Sequence, residues 1–359
     1  MQTLLADPAP ELAVAACAVL GLIVGNRLIG PIVRLSEGDP LRAPLACSEC
    51  GFWLPRIRRV PLFGWIALLG RCPVCGRWLG AWMPLVEIGT AALFAAFAWL
   101  LPTAEAHRIA PEISHAPPMV VRLAYYLVLI ALLVAATGTD LRRYVVPDAI
   151  TLPGTVFAIT ASAAFGGMQL APLWTEWRAP MGLRALRQEV LPEWIIAHPH
   201  WHGFAGAMAG LIAGAGLVWL IRAVSRTLLG YQALGFGDVT LMAMIGAFVG
   251  WQPAVLIVLF APLTGLVAAM VIRLTSHRTM LPYGPWLCLA TLIVAGGWRW
   301  IWMFELETGP RERLMLREFF ADPVLIGIVG GISLVALVVL LGLLRMYKSL
   351  PVGRGERRA

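Results

Sequence analysis

The chain has 359 residues, 59% of them hydrophobic and 13% charged, with a mean hydropathy of +0.78. A soluble protein of this size carries about twice that share of charge, so the composition excludes a soluble globular enzyme and points to a polytopic helical membrane protein. The net charge of +8 is no sign of nucleic-acid binding, because lysine occurs once and the arginines sort by loop as membrane topology requires.

In chain order, the first apolar run covers 12–33. It follows Asp7 and Glu11 and lacks both a basic n-region and an Ala-x-Ala cleavage site, so it reads as a retained span rather than a signal peptide. Eight more apolar segments follow, at 82–102, 119–139, 149–167, 203–222, 239–251, 254–272, 283–303 and 323–345. The expected fold is an all-α polytopic bundle of about eight or nine transmembrane segments with a small cytoplasmic zinc-binding loop domain. The sixth segment is short, which leaves a kink or a half-span open. With the N-terminus outside, the inner loops hold 18 Arg and Lys and the outer loops nine, a positive-inside bias that puts Asp140 and Asp238 on the cytoplasmic side.

Three regions result: 1–81 with the first span and a four-cysteine loop, a membrane core over 82–290, and C-terminal spans with a basic tail over 291–359. An insertion at 168–202, with Trp174, Trp177, Trp194 and Trp201, is expected on the outer side, lying along the interface. Residues 304–322 mix Glu and Arg and are expected to form a short outer helix. The tail Val352–Ala359 reads as solvated. No repeat at a fixed period is evident.

Cys47-Ser-Glu-Cys50 and Cys72-Pro-Val-Cys75 are two CxxC units 21 residues apart. Two such knuckles supply four thiolates to a tetrahedral structural Zn²⁺ site, and a redox dithiol or an iron–sulfur centre are the alternatives. Arginines at 56, 58, 59, 71 and 77 surround the knuckles and favour the thiolates. With four protein ligands, the metal would fold the loop and not take part in chemistry. Between the pairs, residues 61–70 are too short to span and either dip into the interface or pack on the loop domain. Cys17 and Cys288 sit in apolar runs as small buried hydrophobes.

Asp140 ends one apolar segment and Asp238 opens another, after Gly235-Phe236-Gly237. A carboxylate beside the hydrocarbon layer is costly, and is a functional-site hypothesis by default. Two carboxylates that share a proton cannot both ionise, which lets one act as base and the other as acid in amide hydrolysis. Such a pair titrates jointly, so neither residue is given a separate role. Gly235 and Gly237 allow a sharp turn and leave room for an extended substrate. The plainer readings are an N-cap for Asp238 and, for Asp140, a membrane-end anchor paired with Arg142 or Arg143. Asp148, after Pro147, reads as a helix N-cap. Glu87, early in the second span, could pair with Arg27 or Arg34, or act in substrate positioning.

Taken together, these residues resemble the bacterial prepilin peptidases, the type IV prepilin leader peptidase/N-methyltransferases. The matching stretches are the four-Cys loop running into Met83-Pro84-Leu85-Val86-Glu87, the run from Asp140 to Gly154, the run from Gly235 to Gln252, and Pro282-Tyr283-Gly284-Pro285. The resemblance implies a GxGD-type aspartic endopeptidase of the bacterial cytoplasmic (inner) membrane, with Asp140 and Asp238 as the catalytic pair. Its partners would be type IV prepilin or type II secretion pseudopilin substrates and the lipid bilayer, with no nucleic acid. Many members also methylate the new N-terminus with S-adenosylmethionine. Here the first span carries Val24-Gly25-Asn26-Arg27-Leu28 in place of the family's usual element, and Thr240 stands where a lysine is usual.

Two rival classes remain at this stage. An ion-coupled transporter would use Asp140 and Asp238 as a relay, but places carboxylates nearer the bilayer midplane. A non-catalytic zinc-anchored scaffold would be a decayed peptidase.

Overall fold

A computed structural model describes residues 10–38, 46–47, 49–53, 60–105, 117–178, 188–230, 234–275, 282–309 and 312–349. Arg56, Arg58, Arg59 and the basic tail lie outside these residues. All nine apolar segments are helical. Five helices are long and apolar enough to cross a membrane: α1 (Pro10–Glu37), α3 (Trp82–Glu105), α4 (Met119–Arg143), α5 (Asp148–Phe165) and α7 (Pro199–Leu229). Between the first two lies the five-residue α2 (Phe63–Ala67), and α6 (Glu193–Ala197) precedes α7. Shorter apolar stretches lie in α8 (Phe236–Val249), α9 (Trp251–Thr275), α10 (Gly284–Gly296) and, after α11 (Trp298–Trp302) and α12 (Leu316–Ala321), in α13 (Pro323–Ser349). The chain is a multi-pass membrane protein.

Two helix groups meet at α4. On one side α1 packs along α3, and both lean on α4; on the other, α7 packs along α8, with α5, α9 and α10 around them. The α7–α8 crossing is close because both partners are glycine at the contact. A Cβ at Gly210 would run into the Gly246 carbonyl, and one at Gly246 into that of Gly210. Small residues that let backbones approach are the usual means of helix association in lipid. Gly246→Leu is therefore expected to force α7 and α8 apart. The cost should exceed the roughly 1–3 kcal/mol typical of overpacking and register as a lower melting temperature of the detergent-solubilised protein.

α8 lies at the centre, with Leu241, Met242, Met244, Ile245, Ala247, Phe248 and Val249 all fully buried. Its 14 residues give a rod of about 21 Å at 1.5 Å per residue, short of the roughly 30 Å hydrocarbon layer. The chain turns at Gly250 (φ 95°) directly into α9. The missing length is supplied from an unexpected place. Residues 168–173, expected at the periphery with the rest of the 168–202 insertion, are packed beyond the end of α8, with Met168, Gln169, Leu170 and Ala171 buried. Irregular backbone at such depth is tolerated only where protein satisfies it, and here it is. Leu170 N–H donates to Val249 O (3.1 Å), Tyr126 Oη to Met168 O (2.9 Å), Gln252 Nε2 to Pro172 O (2.7 Å) and Trp251 Nε1 to Leu173 O (2.8 Å), while His202 Nε2 accepts from Leu173 N–H (3.0 Å).

Farther along the insertion β1 (Glu176–Arg178) pairs antiparallel with β2 (Gln188–Val190), with Glu176 opposite Val190, and α6 follows. The helix expected over 304–322 is also corrected. There β3 (Glu305–Gly309) pairs antiparallel with β4 (Glu312–Met315), and among the described residues 316–321 are helical. Gly309-Pro310 explains the difference: neither residue continues a helix, and together they mark a turn.

Candidate active site

Asp140 occupies the last turn of α4 and is 5% exposed; Asp238 occupies the first turn of α8 and is 8% exposed. α4 stops just past Asp140 because Tyr144 adopts a left-handed conformation (φ 59°) and its N–H closes on Asp140 O at 2.8 Å. Residues 145–147 then lead into α5, whose N-cap position is held by Pro147. Asp148 is thus the first helical residue and exposed, not the N-cap expected from sequence. An acid in a first turn still suits the helix dipole.

Each of the two carboxylates has one oxygen held by a backbone amide. Gly235 N–H donates to Asp238 Oδ2 at 3.0 Å, the charged half of a capping box whose other half glycine cannot make. Gly284 N–H, where α10 begins, donates to Asp140 Oδ2 at 3.0 Å. The Tyr283-Gly284-Pro285 turn therefore meets the end of α4 directly. A Cβ at Gly284 would lie 2.6 Å from Asp140 Oδ2.

The two aspartates come from helices nearly a hundred residues apart, yet Asp140 lies within electrostatic reach of Asp238, as does Arg222 of α7. Tyr283 is in electrostatic reach of Asp238, and Cys288 of both carboxylates. Arg142 is not an anchor partner for Asp140: its guanidinium sits over the Trp82 ring (4.8 Å to the centroid) and 3.7 Å from Glu37 Oε1. Arg222, read from sequence only as a topology marker, joins the site because α7 ends beside the start of α8. Its place near the end of a span, one loop before the Gly-x-Gly-Asp, was the signal.

The four cysteines form a compact cluster at the same end of the bundle. Their sulfurs all lie within 4.8 Å of one another, with Cys47 and Cys75 at 3.7 Å and Cys50 and Cys72 at 3.7 Å. Tetrahedral metal–thiolate bonds of about 2.3 Å place sulfurs about 3.8 Å apart, so the cluster could hold a metal ion. Backbone N–H groups of Cys50 and Glu49 keep the Cys47 thiol below its ordinary value, and those of Cys75 and Val74 bring Cys72 down to about 7. For Cys75 the Arg77 N–H pulls the same way, but partial burial and the three neighbouring sulfurs outweigh it and push the thiol up to about 12. Crowded thiolates of this kind call for a cation.

The knuckles are also copies of one another. Cys47 N–H bonds to Phe52 O and Gly51 N–H to Cys47 O; Cys72 N–H bonds to Arg77 O and Gly76 N–H to Cys72 O. Gly51 and Gly76 share φ 67°, and the bridges Ala46–Trp53 and Arg71–Trp78 correspond. The repeat Cys-x-x-Cys-Gly-x-Trp, displaced by 25 residues, was present in the sequence and overlooked because a two-copy motif this short does not stand out as a period.

Glu87 has hydrogen-bond partners other than the aspartates. Buried in α3, it accepts Asn26 Nδ2 (2.6 Å) from α1 and Leu62 N–H (2.6 Å) at the start of α2, in place of the Arg27 or Arg34 partner expected from sequence. It thereby seats the 61–70 segment on the bundle, while Trp65 packs edge-on against Trp78 of the second knuckle (5.4 Å). Glu87→Ala is expected to leave two donors without an acceptor, costing about 1–3 kcal/mol. Limited proteolysis should then cut the 60–81 region faster than in wild type.

Comparison with known proteins bears on both parts. Residues 19–101 match the family model of the bacterial peptidase A24 N-terminal domain, and residues 191–270 match that of the type IV leader peptidase family. The first stretch contains the four cysteines and Glu87, the second Gly235, Gly237 and Asp238, and Asp140 lies between them. A prepilin leader peptidase/N-methyltransferase of Dickeya chrysanthemi is 29% identical over 327 residues, covering 82% of this chain and 97% of the relative. One of Aeromonas hydrophila is 30% identical over 247 residues, 68% of each chain, and one of Myxococcus xanthus 29% over 261 residues, 72% of this chain and 63% of the relative. No solved structure matches. With both halves matched in order and relatives aligned over most of its length, the chain belongs to the type IV leader peptidase family.

Proposed function

We propose that this protein is a membrane-boundary aspartic endopeptidase that removes the leader peptide from type IV prepilins or type II secretion pseudopilins, with Asp140 and Asp238 as its catalytic pair. The observation that carries this reading is the convergence of the two carboxylates at one end of the bundle, each with Oδ2 held by a backbone N–H. In such a pair one carboxylate takes a proton from water as its oxygen adds to the scissile carbonyl. The other gives a proton to the departing nitrogen as the C–N bond breaks. Gly235 and Gly237 keep the entrance of α8 free of side chains for an extended substrate. An apolar substrate helix lying among the spans would bring its cut site to the depth of the pair, and that positioning supplies much of the rate. The positive-inside bias puts this end of the bundle at the cytoplasmic face of the inner membrane.

Zn²⁺ is the ion we assign to Cys47, Cys50, Cys72 and Cys75. A closed four-thiolate set has no open position, so the metal stabilises the loop and performs no chemistry. The relatives' names also carry methyl transfer, for which S-adenosylmethionine would be the donor. The cleft formed by described residues beside the cysteines, lined by Glu37, Cys47, Arg77, Trp82 and Arg142, measures about 90 Å³. Sites that bury a ligand of that kind measure about 300–1,000 Å³, so the described residues of this cleft do not by themselves fit a methyl donor.

The test is co-expression with a panel of prepilins and pseudopilins, reading leader removal by gel shift and the mature N-terminus by mass. Cleavage after the leader supports the proposal, and a methyl increment on the product would add the second activity. A folded protein that cuts none of the panel would return the scaffold reading, and proteoliposome ion flux that depends on the aspartates would return the transporter.

A further inference from the structure

The loop between α4 and α5 holds a residue that the reaction does not use directly but that touches both halves of the site. Val146 is 7% exposed. A Cβ added to Gly237, the neighbour of Asp238, would lie 3.2 Å from Val146 Cβ and 3.3 Å from its carbonyl oxygen. A Cβ added to Gly284, whose N–H holds Asp140, would lie 3.4 Å from Val146 Cγ2. One valine thus stands between the two glycine turns, in van der Waals contact with each.

We propose that Val146 is a positioning residue: its side chain is the spacer that sets the separation of the Asp140 and Asp238 carboxylates. This rests on the reading of the two aspartates as the catalytic pair. The physical argument is that the amide holding Asp140 and the turn carrying Asp238 belong to different helices, which lipid-phase packing alone leaves free to slide by fractions of an ångström. Coupling between two carboxylates depends steeply on distance at low dielectric, and misplacement by about 1 Å costs on the order of 100-fold in rate. A β-branched side chain, rigid at χ1, is suited to fix that gap, and glycine on both sides removes any competing side chain.

The experiment is a graded series at position 146, assayed on purified full-length protein in lipid with a prepilin that it cleaves. Val146→Thr keeps the shape and should retain wild-type kcat. Val146→Ala and Val146→Ile should each lower kcat about 10- to 100-fold with KM within about twofold of wild type. The pH profile of kcat separates a spacer from a stability effect. Alanine lets the turns close in and strengthens coupling, which widens the bell; isoleucine forces them apart and narrows it. The other groups facing the pair, Arg222 from α7 and Tyr283 and Cys288 from α10, are unchanged across the series. Should Val146→Ala not fold, Gly284→Ala tests the same geometry, since its Cβ lands on Asp140 Oδ2. Unchanged kcat and bell width in Ala and Ile, or losses that follow melting temperature alone, overturn the spacer. Asp238→Asn run alongside keeps the two readings apart: full cleavage by that variant would sink the catalytic pair, whatever Val146 does.

Discussion

Asp140→Asn and Asp238→Asn are each expected to reduce leader cleavage about 10²- to 10⁴-fold, the usual contribution of a positioned acid or base, while the melting temperature should stay near that of wild type. Asparagine keeps the size of each side chain and can still accept the Gly284 or Gly235 N–H through its carbonyl oxygen, so the helix ends should survive the exchange. What it removes is a carboxyl group able to take or give a proton. The two losses should not add: once one member is neutralised, the second has no partner with which to divide acid and base roles, so the double variant should be no slower than the worse single. Cleavage that persists in both single variants sinks the aspartate mechanism, and additive losses would mean that the two residues act independently.

The second large effect concerns the cysteines. Purified protein should carry one Zn²⁺ per chain by elemental analysis. Cys72→Ser should lose it, as should chelation under mild denaturant, because structural zinc in small modules supplies on the order of 10 kcal/mol of folding free energy. Among the described residues of this loop Cys47 and Cys72 are themselves buried, and Gly64 is the buried residue of α2. Residues 46–81 should then become protease-sensitive while the spans stay folded. Since Cys47, Arg77 and Trp82 face the end of α4 across the same cleft as Arg142, cleavage should fall partially, through KM more than kcat. Metal-free protein with an intact, protease-resistant loop would remove the structural role.

How much of this was legible depended on where the information resides. The apolar helices and the grouping of the four cysteines follow from hydropathy and CxxC spacing, both local in sequence. The partners did not. Gly284 N–H on Asp140 joins residues 144 positions apart, and no pattern near either residue encodes that pairing. Glu87 stands out in sequence as an unusual membrane carboxylate, but the donors it accepts from are an amide side chain and a main-chain N–H and not an arginine. The hairpin over 305–315 was misread because charge composition outweighed a Gly-Pro that should have decided it. Residues 168–173 were judged by their neighbours in the insertion. The polar residues that receive them, Arg122, His202 and Gln252, each at the end of an apolar segment, had no evident purpose until the segment was seen in place.

That buried segment also dictates an order of events. Leu170 is synthesised well before Val249, its hydrogen-bond partner, and before Trp251 and Gln252, which hold Pro172 and Leu173. Until α8 and the start of α9 have entered the bilayer, the Leu170 N–H and the Pro172 and Leu173 carbonyls lack these partners, and unsatisfied main-chain groups are costly in lipid. The site end of α8 and the far end of α8 are therefore completed by opposite routes. Asp238 enters with its own helix, whereas the cover over Val249 can close only once α8 and the start of α9 are in place. A chain stalled before that step would already contain both aspartates in the membrane yet lack the rigid far end against which α8 is braced.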